Sequence, residues 1–437
     1  MTTSSTGGAT MPPGPRLPRP LQAILLAKYR HRWLPRLQRR YGDTFSLRPA
    51  VGGDMVVITD PDQVSRLFTG SPEVFHAGEG NAVLRPLVGA ESVLMLDEER
   101  HLRMRRMLLP AFGSTAIKGY HGMFAEIAED EVARWRPDRP FGLYDRMEEL
   151  TMEVILRVVF GVSDEARLAP LRGLMKKLAR AGLLEMIGWS VPALERFGPW
   201  RRYRRTQDAV DQLLYAEIAD RRAAPDTPER RDVLSRMMIA SENGGGLSDV
   251  ELRDQLITLV MAGFDTTSAA LAWTFHELAH RPAQLARARE AAARDDDKYL
   301  EAVVKETLRL RPVLPQLGRR LTGPATVGDR VLPAGVSVIA AMTLIHTSPR
   351  HHDAPADFRP ERFLGTAPAT GSWIPFGGGV RRCPGATFAT LESITVLKAA
   401  LLRYDLHPEH DRPETARIRN VMLVPSRGTR VVVRPRG

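Results

Sequence analysis

Apolar and polar positions change their period several times along this chain. Two short alternating runs, Thr44-Phe45-Ser46-Leu47 and Met55-Val56-Val57-Ile58, flank Gly52-Gly53 and predict a β-hairpin between Tyr41 and Thr59. From Glu98 to about Leu310 apolar residues recur at helical spacing. Strand-like runs return between Thr322 and Ala341, punctuated by Pro333-Ala334-Gly335, and a last pair of strands is predicted around Val421 to Val433. No internal repeat stands out. The pattern predicts a mainly α fold with small peripheral β-sheets (α+β), built as one large domain over residues 13–437. Residues 1–12, Ser/Thr/Gly-rich and then Pro-rich, are expected to be disordered.

The longest apolar stretch begins after Gly244-Gly245-Gly246, read as a loop because Ser248-Asp249-Val250-Glu251 forms a capping box directly behind it. The helix it starts is predicted to run to about Arg281. Its most apolar window, Leu256 to Phe275, carries Asp265 at its centre, a residue that a lipid-facing helix does not bury cheaply. Met1 to Pro20 has no basic region leading into an apolar run, so neither a span nor a signal peptide is expected, and no membrane partner.

Composition adds three constraints. With 437 residues, 43% of them hydrophobic, the chain can bury a large core. Its single cysteine excludes an internal disulfide and fits a reducing, cytoplasmic setting. A net charge of +11 and a pI near 10.1 raise the possibility of nucleic-acid binding. The arginines are scattered along helices, as in Arg201 to Arg205, with no zinc-finger or basic-zipper pattern, so no nucleic-acid partner is expected. A solvated basic surface, or a basic patch for an acidic protein, accounts for the charge.

The lone Cys383 lies in Phe376-Gly377-Gly378-Gly379-Val380-Arg381-Arg382-Cys383-Pro384-Gly385, just ahead of a long apolar helical pattern. The glycines allow a tight turn and close backbone approach. Pro384 suits a helix start, whose free N–H groups favour a thiolate, the form that binds metal. Most free cysteines are inert, buried side chains. This ten-residue segment instead resembles the cytochrome P-450 haem-binding signature, Phe-x-x-Gly-x-Arg-x-Cys-x-Gly, with every fixed position filled. The resemblance implies haem b, with Cys383 as the only protein ligand to the iron and Phe376, Gly379 and Gly385 shaping the loop that meets the cofactor.

Further segments match the same family in order, from about Arg16 to Val433. Ala262-Gly263-Phe264-Asp265-Thr266-Thr267 resembles the stretch that crosses above the iron. There Gly263 makes room for dioxygen, Thr266 hydrogen-bonds the iron-bound oxygen species and Asp265 relays protons from solvent, so Asp265 and Thr266 are the expected catalytic pair. His101 and Arg105, one helical turn apart, resemble the family's grip on the haem propionates, with Arg381 as a third donor. A fourth is expected on the strand after Pro315; Arg319 is favoured and Arg320 is the alternative. Glu306 and Arg309, with Arg362 of Pro360-Glu361-Arg362-Phe363, resemble a buried network that braces the fold. The stretch Ala291 to Tyr299 is shorter than is usual in the family.

The resemblance implies a monooxygenase that activates O2 with electrons from NAD(P)H, delivered by a separate ferredoxin and its reductase, since no Gly-x-Gly-x-x-Gly marks a flavin or nicotinamide site. Arg382, Arg103 and Arg106 are the candidate docking residues for an acidic ferredoxin. A largely apolar pocket lined by the Phe75 to Leu94 loop, by Thr258 and Ala262, and by Val313, Leu314 and on to Leu317 implies a lipophilic substrate. Hydroxylation, plausible in natural-product biosynthesis, is the expected outcome. The alternatives are ring closure or C–N or C–C coupling on the same scaffold, or a non-catalytic haem sensor or carrier.

Overall fold

The computed structural model describes residues 10–161, 165–180, 197–242, 246–365 and 367–436. Its helices of nine residues or more are α1 (Arg19–Tyr41), α2 (Pro61–Thr69), α3 (Glu98–Leu108), α4 (Ser114–Ala133), α5 (Leu143–Phe160), α6 (Glu165–Ala179), α7 (Gly198–Ala223), α8 (Val233–Glu242), α9 (Asp249–Ala279), α10 (Pro282–Ala293), α11 (Asp297–Leu310) and α12 (Ala386–Arg403). The strands are β1 (Thr44–Leu47), β2 (Met55–Ile58), β3 (Phe75–His76), β4 (Phe141–Gly142), β5 (Leu317–Leu321), β6 (Ala325–Val327), β7 (Arg330–Leu332), β8 (Ser337–Ala340), β9 (Tyr404–Pro408), β10 (Ala416–Arg419), β11 (Met422–Pro425) and β12 (Arg430–Pro435).

Helix α9 is the axis of the fold. The Ser248 hydroxyl accepts from the Glu251 amide while the Glu251 carboxylate accepts from the Ser248 amide, closing the expected capping box. From Leu252 to Ala279 every residue except Ala262, Gly263 and Thr266 is buried. Such a helix passes the length and hydropathy test for a membrane span, yet 78% of its apolar window lies inside the fold. Helix α5 packs against it closely: a Cβ at Gly263 would stand 2.7 Å from the Ile155 side chain. The Thr151 hydroxyl also reaches the Phe264 carbonyl at 2.9 Å.

The largest sheet has the order β1-β2-β8-β5-β3, antiparallel except for the parallel β2–β8 pair. The β1–β2 hairpin turns at Gly52 and Gly53, both at positive φ, as their sequence predicts. Near the C-terminus both predicted strands are present, but they do not pair with each other. Met422–Pro425 joins β10, whereas Arg430–Pro435 joins β9 and β4. Partner choice here is set by long-range packing, which local alternation does not encode. Residues 1–9 of the expected disordered start lie outside the described residues. Thr10, by contrast, donates to the Val331 carbonyl at 3.1 Å, and Pro12 is buried.

Between β8 and the cysteine loop the chain has little regular structure, and buried charge holds it. Glu306 and Arg309 are both 0% exposed. Glu306 accepts Arg309 Nε at 2.7 Å and Nη2 at 2.8 Å, Arg362 Nε at 3.0 Å and the Arg359 amide at 2.8 Å. Arg309 also donates to the carbonyls of His346 at 2.9 Å, Pro355 at 2.8 Å and Asp357 at 2.9 Å. The network expected from Glu306, Arg309 and Arg362 is therefore present. Removing one partner strands a buried charge, so Arg309→Met should cost about 3–5 kcal/mol. Urea unfolding checks this; a loss under about 1 kcal/mol, the scale of a surface pair, would remove the network from its central place.

Candidate functional site

The cysteine loop is shaped by its glycines and by helix α2. Gly377 and Gly379 have φ of +68° and +60°, and a Cβ at Gly379 would collide with the Phe68 carbonyl. Side chains are excluded there for both backbone and space. The Cys383 amide donates to the Phe376 carbonyl at 2.9 Å, which pulls the loop into a ring. Leu317 abuts Gly377 from the other side, so the Val313 to Leu317 segment borders the loop.

Cys383 keeps accessible surface although its thiol is surrounded by protein. Burial pushes its pKa up, outweighing the Gly385 amide and the Arg105 and Arg382 charges that pull it down. The helix start alone thus does not secure a thiolate, contrary to the sequence reading. A cation at the sulfur would supply the missing stabilisation.

Beside the loop, three elements converge on one crevice: His101 from α3, Arg319 from β5 and Arg381 from the loop, floored by Phe68 and Phe75. Strand alternation decides between the two candidate arginines. Arg319 is 7% exposed and stacks 5.3 Å from the Phe68 ring, while the Arg320 guanidinium points out toward Gly53 and Gly335. Burial lowers Arg319 and Arg381 to about 10, and burial with the Arg381 and Arg105 charges lowers His101 to about 4. Asp97 is the carboxylate that pairs with this cluster, 2.6 Å from Arg381. Buried Arg319, half-buried Arg381 and a neutral histidine, with Arg105 one turn along α3 from His101, fit a group that brings further negative charge. The donor set and the thiol together fit a haem.

Asp97 was not legible as a site residue. It stands at the N-cap position of α3, but its carboxylate instead accepts from the amides of Ala77 at 2.9 Å, Gly78 at 2.9 Å and Glu79 at 3.0 Å. It so ties the start of the Phe75 to Leu94 loop to Arg381.

On α9, Ala262 is exposed and Gly263 and Thr266 partly so, in the middle of an otherwise buried helix. The Thr266 hydroxyl donates to the Ala262 carbonyl at 2.7 Å, which loosens the helix there. Thr258 does not join them. It is 2% exposed, and its hydroxyl is engaged by the Asp254 carbonyl at 2.5 Å and Ser92 Oγ at 2.7 Å, so it anchors the loop to the helix and is withdrawn from any ligand. Val313 is 7% exposed, with its carbonyl taken by the Leu423 amide, and Leu314 is partly buried between two cores.

Asp265 faces away from this accessible patch. It accepts from Tyr144 Oη at 3.2 Å and pairs with Arg419, which also holds Glu148 at 2.7 Å. Burial raises Asp265 to about 6, with Glu148 adding to the rise while Arg419 and Tyr144 oppose it. Arg419 comes from the end of β10, more than a hundred residues away, and no local pattern announces it. Of the docking candidates, Arg382 and Arg106 are exposed, whereas Arg103 is drawn to the Gly246 carbonyl at 2.9 Å and Glu251 at 3.4 Å. The short stretch before α11 is a turn of residues 294–296 with Asp297 bridged to Lys398 at 2.9 Å.

A cysteine loop, a basic crevice and a central helix with one accessible turn on a helix-rich frame define a haem-dependent oxygenase. The family model for cytochrome P450 matches residues 11–433, and the chain belongs to that family. It is 42% identical over 435 residues to cytochrome P450 135A1 of Mycobacterium tuberculosis, covering 99% of this chain and 97% of that one. Cytochrome P450 135B1 of Mycobacterium bovis is 43% identical over 438 residues, covering 99% and 93%. Among solved structures, retinoic acid bound cyanobacterial CYP120A1 superposes with a TM-score of 0.85 at 22% identity, covering 98% of this chain and 100% of that one. The protein is thus a P450 monooxygenase, an oxidoreductase that uses haem, O2 and electrons from a redox partner.

Arg419→Gln leaves Asp265 buried without a cation and Glu148 with only Arg180, at 3.4 Å, and should destabilise the fold by about 3 kcal/mol at pH 8. Asp265 is already raised above its unfolded value of 3.8, so its neutral form favours folding and stability falls as pH rises through about 6. The variant raises that carboxyl further; its deficit should therefore shrink on acidification to pH 5. A deficit that is flat between pH 5 and 8 in thermal unfolding would show that the two carboxylates do not depend on Arg419.

Proposed function

We propose that this monooxygenase hydroxylates a lipophilic small molecule, in natural-product biosynthesis within the cytoplasm, with electrons passed from NAD(P)H through a ferredoxin reductase and a separate ferredoxin. The observation that carries the reading is an accessible thiol at Cys383 together with an accessible turn, Ala262, Gly263 and Thr266, in the otherwise buried α9. These are taken as the two walls of the haem pocket.

When bound, the haem supplies dioxygen activation and the oxidising power for C–H cleavage. Cys383 would hold the iron, with the Gly385 amide and the Arg105 charge favouring its ionised sulfur. Arg105, Arg319, Arg381 and neutral His101 would hold the propionates, and Phe376, Gly379 and Gly385 would keep the loop clear of the ring. The absent side chain of Gly263 admits Ile155 of α5 against the helix. Asp265, near 6, can take up a proton at physiological pH and pass it toward the accessible turn of the helix. The Thr266 hydroxyl, bonded only to a main-chain carbonyl, can turn to donate in the pocket.

Ala262, Val313 and Leu314 offer the substrate apolar contact, which supports a lipophilic ligand. The fold relative named for bound retinoic acid is in keeping with that class. Arg382 and Arg106 are the exposed cations proposed to meet the ferredoxin.

Two variants test the assignment. Cys383→Ser, loaded with haem, reduced and exposed to carbon monoxide, should lose the red-shifted Soret band of a thiolate ligand; a retained band would refute the role. Thr266→Ala should bind substrate nearly as well but divert electrons to hydrogen peroxide, with the productive proton step slowed on the order of a hundredfold. Unchanged product per NAD(P)H would take Thr266 out of the proton path.

A further inference from the structure

Charge is spread very unevenly along this chain. Residues 1–42 contain eight Lys and Arg residues and no Asp or Glu, so they carry +8 of the net +11. Most of that charge sits on α1. The inner face of α1, with Trp33, Leu34 and Leu37, packs on Phe45, Leu47 and Val57 of the first hairpin. The outer face is divided along its length. Leu21 and Ile24 stand outward one helical turn apart, with exposed Leu17 just ahead of the helix, and after them Lys28, Arg32, Arg36, Arg39 and Arg40 stand outward. The helix bends between the two halves, at Tyr29.

The apolar half is not alone. The Ala50 amide donates to the Arg19 carbonyl at 3.2 Å, and Arg19 pairs with Asp54 at 2.6 Å, which fastens the hairpin tip to the start of α1. Val51 at that tip is 79% exposed, and Ile24 is 50% exposed. Large side chains held in solvent on two elements tied together mark an interaction surface. Among the described residues, no carboxylate pairs with Lys28, Arg32, Arg36, Arg39 or Arg40, so the adjoining cations are available as well.

We propose that this face is a docking surface for an anionic lipid bilayer. Leu17, Leu21, Ile24 and Val51 would enter the headgroup boundary and the basic half of α1 would lie along the phosphates. Charge and apolar exposure decide the partner together. A nucleic acid would meet the arginines but leave the exposed Leu, Ile and Val without a use. A bilayer rewards both, since apolar burial adds to attraction by acidic headgroups. The inference is independent of the haem site and of the substrate.

The test is co-sedimentation of the full-length, haem-loaded protein with vesicles of phosphatidylcholine alone and of phosphatidylcholine mixed with phosphatidylglycerol. The protein should partition onto the anionic vesicles only, and less as salt rises. Arg32→Gln and Arg36→Gln should each weaken partition about fivefold. The paired change Ile24→Ser with Val51→Ser should weaken it at least about tenfold. All four residues are exposed, so circular dichroism and the carbon monoxide spectrum should match the wild type. No partition onto anionic vesicles at low salt overturns the proposal. So does partition that the Ile24/Val51 pair leaves unchanged, which would reassign the face to an acidic protein or a nucleic acid held by charge alone.

Discussion

The Glu306–Arg309 pair has no contact with solvent, and a fully buried ion pair is tolerated only when every donor and acceptor is used. Here they are, and the partners are what matter. Arg309 reaches three main-chain carbonyls between His346 and Asp357, and Glu306 takes an amide and a guanidinium from Arg359 and Arg362. That segment has almost no hydrogen bonds of its own from helix or sheet. The pair replaces them, and so fixes the path of the chain as it approaches Gly377 and Cys383. His346 extends the hold by accepting from the Ile374 amide at 2.9 Å. The position of the thiol is thus set by a charge pair on a different helix.

A second constraint acts at the centre of α9. Burial of nearly all of its surface leaves a helix that cannot shift, while Gly263 and the Thr266 hydroxyl, bonded to its own helix, create one compliant turn. Asp265 sits at that turn but points to the opposite side, into Tyr144, Glu148 and Arg419. The acid is therefore reached from the C-terminal hairpin and not from the pocket. A carboxyl poised near 6 behind the accessible patch is suited to move protons without standing in the pocket itself.

The basic crevice shows how one carboxylate can organise several elements. Asp97 caps the turn at Ala77 to Glu79 and pairs with Arg381, so the start of the Phe75 to Leu94 loop and the cysteine loop are set relative to each other by one side chain. Among the described residues neither Arg105 nor Arg319 forms an ion pair with a carboxylate, and Asp97 acts on the Arg319 charge only from a distance. The folded chain holds that charge ready at a cost, which an anionic cofactor repays on binding.

What was legible in the sequence was whatever depends on neighbours within a few residues. The capping box at Ser248, the Gly52-Gly53 turn, the helical period after Glu98 and the glycine-rich run before Cys383 each follow from local backbone sterics and spacing, and each appears as read. Family resemblance added the Glu306, Arg309 and Arg362 network, which local spacing could not distinguish from a surface pair. Tertiary structure decided the rest. Strand phase put Arg319 inward and Arg320 outward. Packing between α9 and the loop near Ser92 withdrew the Thr258 hydroxyl, and burial turned the pKa of Cys383 upward against its helix start. Arg419 met Asp265 across more than a hundred residues because the C-terminal hairpin folds back on α5 and α9. Dielectric, partner and face are properties of the packed chain, and a side chain acquires them only when distant segments close around it.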